Sequence, residues 1–391
     1  MTDRLTASAS YDVSGFGARE TTGSDVVQTF RSARHGRPEG LHYSGLFHKL
    51  YSRTTVVAVA ALSLGAASTT TEAQSAAPKR SPAAAKPYTP PRTPWGDPLL
   101  EGVYSNDDET GIPFERPAQF EGRKIEDITP DELSALNKQR NVQFNAGVAG
   151  TEFAGGIRPP THLIFDSFER KNSSPWLVID PPDGKVPPLT EEARQRAQPQ
   201  TGLGRGVSSN VNSVGPFNSY EDLGLYDRCI TRGIPSSMMP AGYGSYYELI
   251  QGKDDVALRY EMIHEHRVVP IDRGQRRPHI GKGLHLDLGD ARGWYDGNTL
   301  VVETTNFTAR SAYRGASENL KMTERFTPLA PGIVEWKVTF DDPHTWTRPW
   351  TFAMTLKQKT QGEQVYEYAC HEGNYGLKNI LTGARADDNR K

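Results

Sequence analysis

With 391 residues, the chain has room for one or two domains. Its 45 basic residues stand against 47 acidic ones, which excludes the basic footprint of a nucleic-acid binder. Plentiful Gly (37) and Pro (28), with few continuous apolar runs, favour a loop-rich β protein over a helical bundle.

Residues 1–45 are polar and without periodicity, and are read as an extension or a start assigned too early. No Met lies between Met1 and Met238, so a later start would use another codon. Residues 46–73 read as a signal peptide. Lys49 and Arg53 form its basic region, TTVVAVAALSLGAAS its apolar region, and Thr71-Glu72-Ala73 a small-residue cleavage site. The alternative is a membrane anchor, but an apolar run of about fifteen residues is short for a span of roughly twenty. Residues 74–94 are a Pro/Ala-rich linker.

Residues 95–245 read as a loop-rich region that packs on a C-terminal barrel. WGDPLLEGVYS predicts a turn and a short strand. Thr129, Pro130 and Glu132 mark a helix start, with Thr129 as cap and Glu132 closing a capping box, and the helix is expected to reach about Arg140. HLIFDSF and PWLVIDPP read as short strands, and Thr190 caps a second short helix through Gln198. Residues 199–218 are a Gly/Ser/Asn loop.

From Tyr246 to residue 387 the pattern turns to strands. YYELI, DDVALRYEMI, HRVVPID, NTLVVETTNF, NLKMTERFTPL, GIVEWKVTF, TFAMTLKQ and YEYACHE alternate apolar and polar residues between tight turns. In IVEWKVTF, Val334, Trp336, Val338 and Phe340 share one face. Period-two alternation of this kind marks antiparallel strands with one face in a core. The expected fold is mainly β, an antiparallel lipocalin-like barrel or strongly curved sheet with two short helices. Such a barrel can hold one small ligand. A flat sandwich is the rival architecture.

Candidate chemistry gathers at the strand ends. Glu261, His264, His266 and Arg267 lie in EMIHEHR, and His285 in HLD. On a strand His264 and His266 would share a face, so with His285 they offer a zinc site, against the alternative of hydrogen-bonded histidines and no cofactor. Asp290, Arg292 and Trp294 form a second group, with Trp294 either a ligand contact or a plug stacked on Arg292. Trp346, Arg348 and Trp350 alternate in a Pro-broken connection that either gates a pocket or packs a rim. Tyr366, Glu367 and His371 lie in YEYACHE, where Glu367 and His371 would share a face as an acid–base couple. Arg325 falls mid-strand and would hold an anionic or carbonyl group. Glu261, His264 and His371 are the catalytic candidates, with Glu261 a carboxylate of shifted pKa. Arg267, Arg292, Trp294, Arg325, Trp346, Arg348, Trp350, Tyr366 and Glu367 are the ligand-binding candidates.

The two cysteines, Cys229 and Cys370, are most simply a disulfide in an exported chain. The alternative is a thiol nucleophile at Cys370-His371-Glu372. No P-loop, GxGxxG, GxSxG or HExxH supplies a further active-site signature.

The blocks WGDPLLEGVYS, PWLVIDPPDGKVPPLT, EMIHEHRVVPID, RGWYDGNTLVVETTNF, SENLKMTERFT, DDPHTWTRPWT and YEYACHEGNY resemble those of a large family of exported bacterial proteins of unassigned function. The resemblance spans residues 95–387. Its C-terminal half is similar to lipocalin-like, calycin-type barrels. The family pattern carries a residue other than His at position 266, which argues against a metal site using His266, whereas His264 fits. The expectation is a periplasmic or secreted binding protein for a small, partly apolar ligand, with no nucleic-acid partner and no stable membrane span after signal cleavage. The alternatives are an enzyme (hydrolase, lyase or isomerase) using the same pocket, and a structural envelope accessory whose barrel is filled with side chains.

Overall fold

The computed structural model describes residues 88–150, 171–196, 217–240, 244–275, 277–360 and 362–389. The signal peptide, the extension before it, most of the linker, HLIFDSF and the loop at 199–216 lie outside the described residues. Among the described residues no helix is long and apolar enough to cross a membrane.

Nine antiparallel strands wrap into a nearly closed barrel. They are β1 (Gly102–Ser105), β3 (Tyr246–Gln251), β4 (Asp255–Tyr260), β5 (His266–Pro270), β6 (Asp290–Asp296), β7 (Thr299–Thr305), β8 (Lys321–Ala330), β9 (Ile333–Asp341) and β10 (Trp350–Gln358). Their order is β5-β4-β3-β1-β10-β9-β8-β7-β6. A tenth strand, β2 (Val178–Asp180), shares the outer edge of β10 with β1: β2 pairs at Thr351 and Phe352, β1 at Lys357 and Gln358. The barrel therefore draws a wall strand, β1, from the region read as packing outside it. Its first and last strands, β5 and β6, run parallel and meet through the Ile271–Gly293 bridge, where Asp272 N–H donates to the Gly293 carbonyl at 2.7 Å.

The alternation of β9 is realised as read. Val334, Trp336, Val338 and Phe340 are buried, and the residues between them are half-exposed. Phe340 stacks on Trp350 at 4.3 Å between ring centroids, and Trp346, Trp336 and Phe352 complete an aromatic core. Tyr247, Phe326, Leu258 and Leu300 fill the rest of the interior. Side chains thus pack the barrel, as in small closed sheets.

Among the described residues three α-helices flank the barrel. α1 (Pro130–Gly150) is about twice as long as expected, and α2 (Glu191–Arg196) falls within the predicted span. Thr129 and Thr190 cap them, accepting from Glu132 N–H at 3.2 Å and Ala193 N–H at 3.1 Å. Glu132 itself pairs with Arg123 at 2.5 Å. α3 (Tyr375–Asp388) was not expected; Asn374 caps it, accepting from Leu377 N–H. YEYACHE is not a strand. It has no neighbouring strand, and the Cys229–Cys370 disulfide positions it.

Gly293 lets the barrel close. A Cβ there would lie 2.8 Å from Ile271 Cδ1 and 2.9 Å from Val269 Cγ1. Gly293→Val should therefore destabilise the protein by about 1–3 kcal/mol through overpacking at the seam. Thermal unfolding checks this, and an unchanged melting temperature would show that β5 and β6 part without cost.

Candidate functional site

The seam is the place to look, because only there does the ladder run out. β5 and β6 pair through one bridge and then diverge. A cleft of about 490 Å³ opens between them, walled by residues 265–268, Pro270, residues 286–292, Ile230 and Thr231. Ile230, Val268 and Leu286 give it an exposed apolar side. Glu265, Arg267, Asp287, Asp290 and Arg292 give it a charged one.

Arg267 is in phase with Val269 along β5 and turns inward. Its Nη2 donates to Glu324 Oε2 at 2.5 Å, and Glu324 Oε1 accepts from Trp336 Nε1 at 3.1 Å. The two charged side chains are 5% and 1% exposed, so the pair is a core feature. The Tyr260 hydroxyl lies beside Arg267 and can accept a loose hydrogen bond from it, short of good geometry. Arg267 Nε and Nη1, the Tyr260 hydroxyl and the Thr304 hydroxyl have no protein partner in hydrogen-bond geometry. Buried polar groups left unpaired cost about 1–3 kcal/mol each, so these groups make a place for an acceptor, whether a buried water or a ligand atom.

Other charges around the cleft are settled by neighbours. Burial raises the Glu265 carboxyl pKa and Asp287 adds to this, against hydrogen bonds from the Thr231 side chain, the Arg232 backbone and the Ser237 side chain. Burial also works against the Asp290 carboxylate, but the Ile280 N–H, His279 and Arg292 outweigh it and hold that carboxyl below its usual range. His279 Nδ1 lies 2.8 Å from Asp290, and its Nε2 lies 3.4 Å from Glu303. Both ring nitrogens are thereby engaged. Asp287 pairs with Arg310 at 3.0 Å.

The structure gathers few of the predicted site residues. β4 ends at Tyr260, and Met262–His264 is a turn with left-handed backbone at Ile263 and His264. His264 and His266 thus do not share a strand face, and both are exposed. His285 Nδ1 contacts the Phe307 carbonyl at 3.0 Å. Among the described residues no group of three or more His, Cys, Asp or Glu is placed to hold a metal ion. Glu261 accepts from Tyr246 N–H at 3.2 Å, and burial raises its pKa. Arg325 faces outward to Asp296 at 2.8 Å, and His371 is exposed on the segment before α3. Glu261, His264, Arg325 and His371 therefore do not converge in one cavity.

The remaining candidates divide the same way. Arg292 lines the cleft and pairs with Asp290 along β6, not across a turn. Trp294 shares the outer face with Arg292 and plugs no barrel end. Trp346 and Trp350 are buried in the aromatic core, while Arg348 turns out to Asp180. The loop between them folds on Asp342, whose carboxylate accepts from Ser317 N–H and the Thr345 hydroxyl, both at 2.6 Å. Tyr366 and Glu367 are exposed. Of the binding candidates, Arg267 and Arg292 alone line the cleft. Sequence reasoning missed Glu324, Tyr260, Thr304 and Glu265. Glu324 carried a signal, since it shares its phase with Met322 and Phe326.

Compared with family models, with curated proteins and with solved structures, the chain matches none of them.

Proposed function

We propose that this is an exported protein that binds a small, partly apolar molecule in the seam cleft. The observation that carries the reading is the cleft itself: a mixed apolar and charged wall at the one break in the barrel's hydrogen-bonded ladder. Its volume falls in the range of small-molecule sites, roughly 300–1,000 Å³. Export rests on the signal-like segment at 46–73 and on the disulfide, which suits an oxidising compartment such as the periplasm or the cell exterior. The resemblance to lipocalin-like barrels agrees with a binding role, but the ligand would sit in the wall and not the lumen. The packed interior favours a second reading, a structural envelope accessory.

Val268→Lys separates the two. The side chain is exposed on the cleft wall, so stability should stay within about 0.5 kcal/mol. Ligand-observed NMR with a small-fragment mixture is expected to give binders to the parent protein that the variant loses. Absence of binders, or binders that survive the substitution, would leave the accessory reading standing.

A further inference from the structure

We propose that the cleft selects a molecule carrying a neutral oxygen acceptor, the carbonyl of an amide, ester or ketone, on an apolar body, and that Arg267 holds this oxygen. The inference rests on the cleft being a binding site and assigns the chemistry of what it binds.

Donors outnumber acceptors behind the cleft. Both oxygens of Glu324 are used, one by Arg267 and one by Trp336. The Tyr260 hydroxyl can accept loosely from one Arg267 N–H, but Arg267 Nε and Nη1 make no well-formed hydrogen bond and the Tyr260 O–H has no acceptor. Neither has the Thr304 hydroxyl, which lies behind the cleft wall at Gly289: a Cβ on Gly289 would stand 2.6 Å from Thr304 Cγ2. Four of the ten unpartnered buried polar side-chain atoms among the described residues thus belong to these three side chains. A ligand that completes the group must bring an acceptor.

Charge decides which acceptor. Both arginines of the wall already have a carboxylate, Glu324 for Arg267 and Asp290 for Arg292. Glu265 and Asp287 add acidic groups to the same wall, and Asp287 is matched by Arg310. A ligand carboxylate would bring an unmatched negative charge to this place, where desolvation makes it costly. A carbonyl oxygen satisfies the same N–H groups without that charge. The apolar body would lie over Ile230, Val268, Leu286 and Leu288.

Access follows from the seam. The unpartnered Arg267 nitrogens are out of contact with solvent. β5 and β6 are joined only at Ile271–Gly293, so the gap beside Arg267 widens without breaking a ladder.

The test uses octanamide and octanoate, which share the tail and differ in head-group charge. The full chain is labelled uniformly with ¹⁵N, so that Val268 and Leu286 report through their backbone amides, and the Arg267 Nε–H signal is assigned from Arg267→Lys and, should that variant fold poorly, from its through-space contacts to Tyr260. Octanamide is expected to shift that signal and slow its exchange with water, and octanoate to bind at least about tenfold more weakly. Octanoate binding as tightly as octanamide would overturn the head-group assignment while leaving the cleft as a binding site. Octanamide that perturbs Val268 and Leu286 but not Arg267 would overturn the role of Arg267. If neither compound perturbs the cleft, this assignment and the binding reading fall together.

Discussion

Glu324→Ala should lower the stability of the protein by about 3–5 kcal/mol, because it leaves the Arg267 guanidinium buried without a counter-charge. The carboxylate accepts from Arg267 and from Trp336, and the one other acceptor near the guanidinium, the Tyr260 hydroxyl, carries no charge to replace it. Both members of the ion pair are almost wholly out of solvent. The loss measures a broken pair, not the worth of an intact one. Replacing both members by apolar residues is the control. Arg267→Met with Glu324→Leu should fall within about 2 kcal/mol of the parent, since removing both charges also removes their desolvation. What it retains as a cost is the orphaned Trp336 N–H, about 1–3 kcal/mol. Urea denaturation of the two variants decides the matter. A single variant that loses under about 1 kcal/mol would mean that Arg267 reaches solvent through the cleft when Glu324 is gone. The same result would bear on the seam, since it would require the gap to open readily.

How far the fold was legible depends on phase. In β9 every apolar residue of the read phase turned inward, because a two-residue repeat between two neighbouring strands leaves no other arrangement. The helix starts were legible because Thr129 and Thr190 announce a local hydrogen bond that needs no tertiary partner. The Cys229–Cys370 bridge was legible because only one pairing exists. YEYACHE failed for the complementary reason. Its alternation is as regular as that of β9, yet a strand needs a neighbour, and none lies beside it. α3 was masked by two glycines, Gly376 and Gly383, although Leu377, Leu381 and Ala384 make a half-buried stripe.

The site was legible only where phase was obeyed. Arg325, read from its mid-strand place on β8 as an inward group for an anion or carbonyl, falls in the outward phase with Thr323 and Thr327. Glu324 falls in the inward phase, and a charged residue in an otherwise apolar phase is the stronger signal. The same test picks Arg267 over His266 on β5. The seam was not legible at all. It joins β5 to β6 through a parallel bridge outside both hairpin ladders, and no local pattern reports which strands of a barrel meet last.

Removing the disulfide should free the C-terminal segment and lower the melting temperature together. α3 contains no buried residue. Apart from the bond between Cys229 and Cys370 and the half-buried stripe of Leu377, Leu381 and Ala384, its anchoring is polar. Asn374 donates to the Asp227 carbonyl at 2.8 Å and to Cys229 Sγ at 3.4 Å, and Arg385 donates to Asn218 at 3.1 Å. Hydrogen bonds of this kind contribute about 0.5–1.5 kcal/mol each, too little to order a helix of this length against its own entropy. The covalent link closes a separation of 141 residues. On the chain-entropy argument a loop of that size is worth about 4–5 kcal/mol in the unfolded state. For a unit of roughly 300 residues the unfolding entropy is about 0.6 kcal/mol per degree, so Cys229→Ser with Cys370→Ser should melt about 7 °C lower. The barrel, whose core owes nothing to the bridge, should keep its β-type circular dichroism at 25 °C. Amide hydrogen exchange should show residues 377–388 losing protection in the native state, while β7 to β10 stay protected and only their slowest amides speed up with the lower global stability. Retained protection in α3 with an unchanged melting temperature would mean that the polar contacts suffice. Complete loss of protection throughout the barrel would mean that the fold does not persist without the bridge.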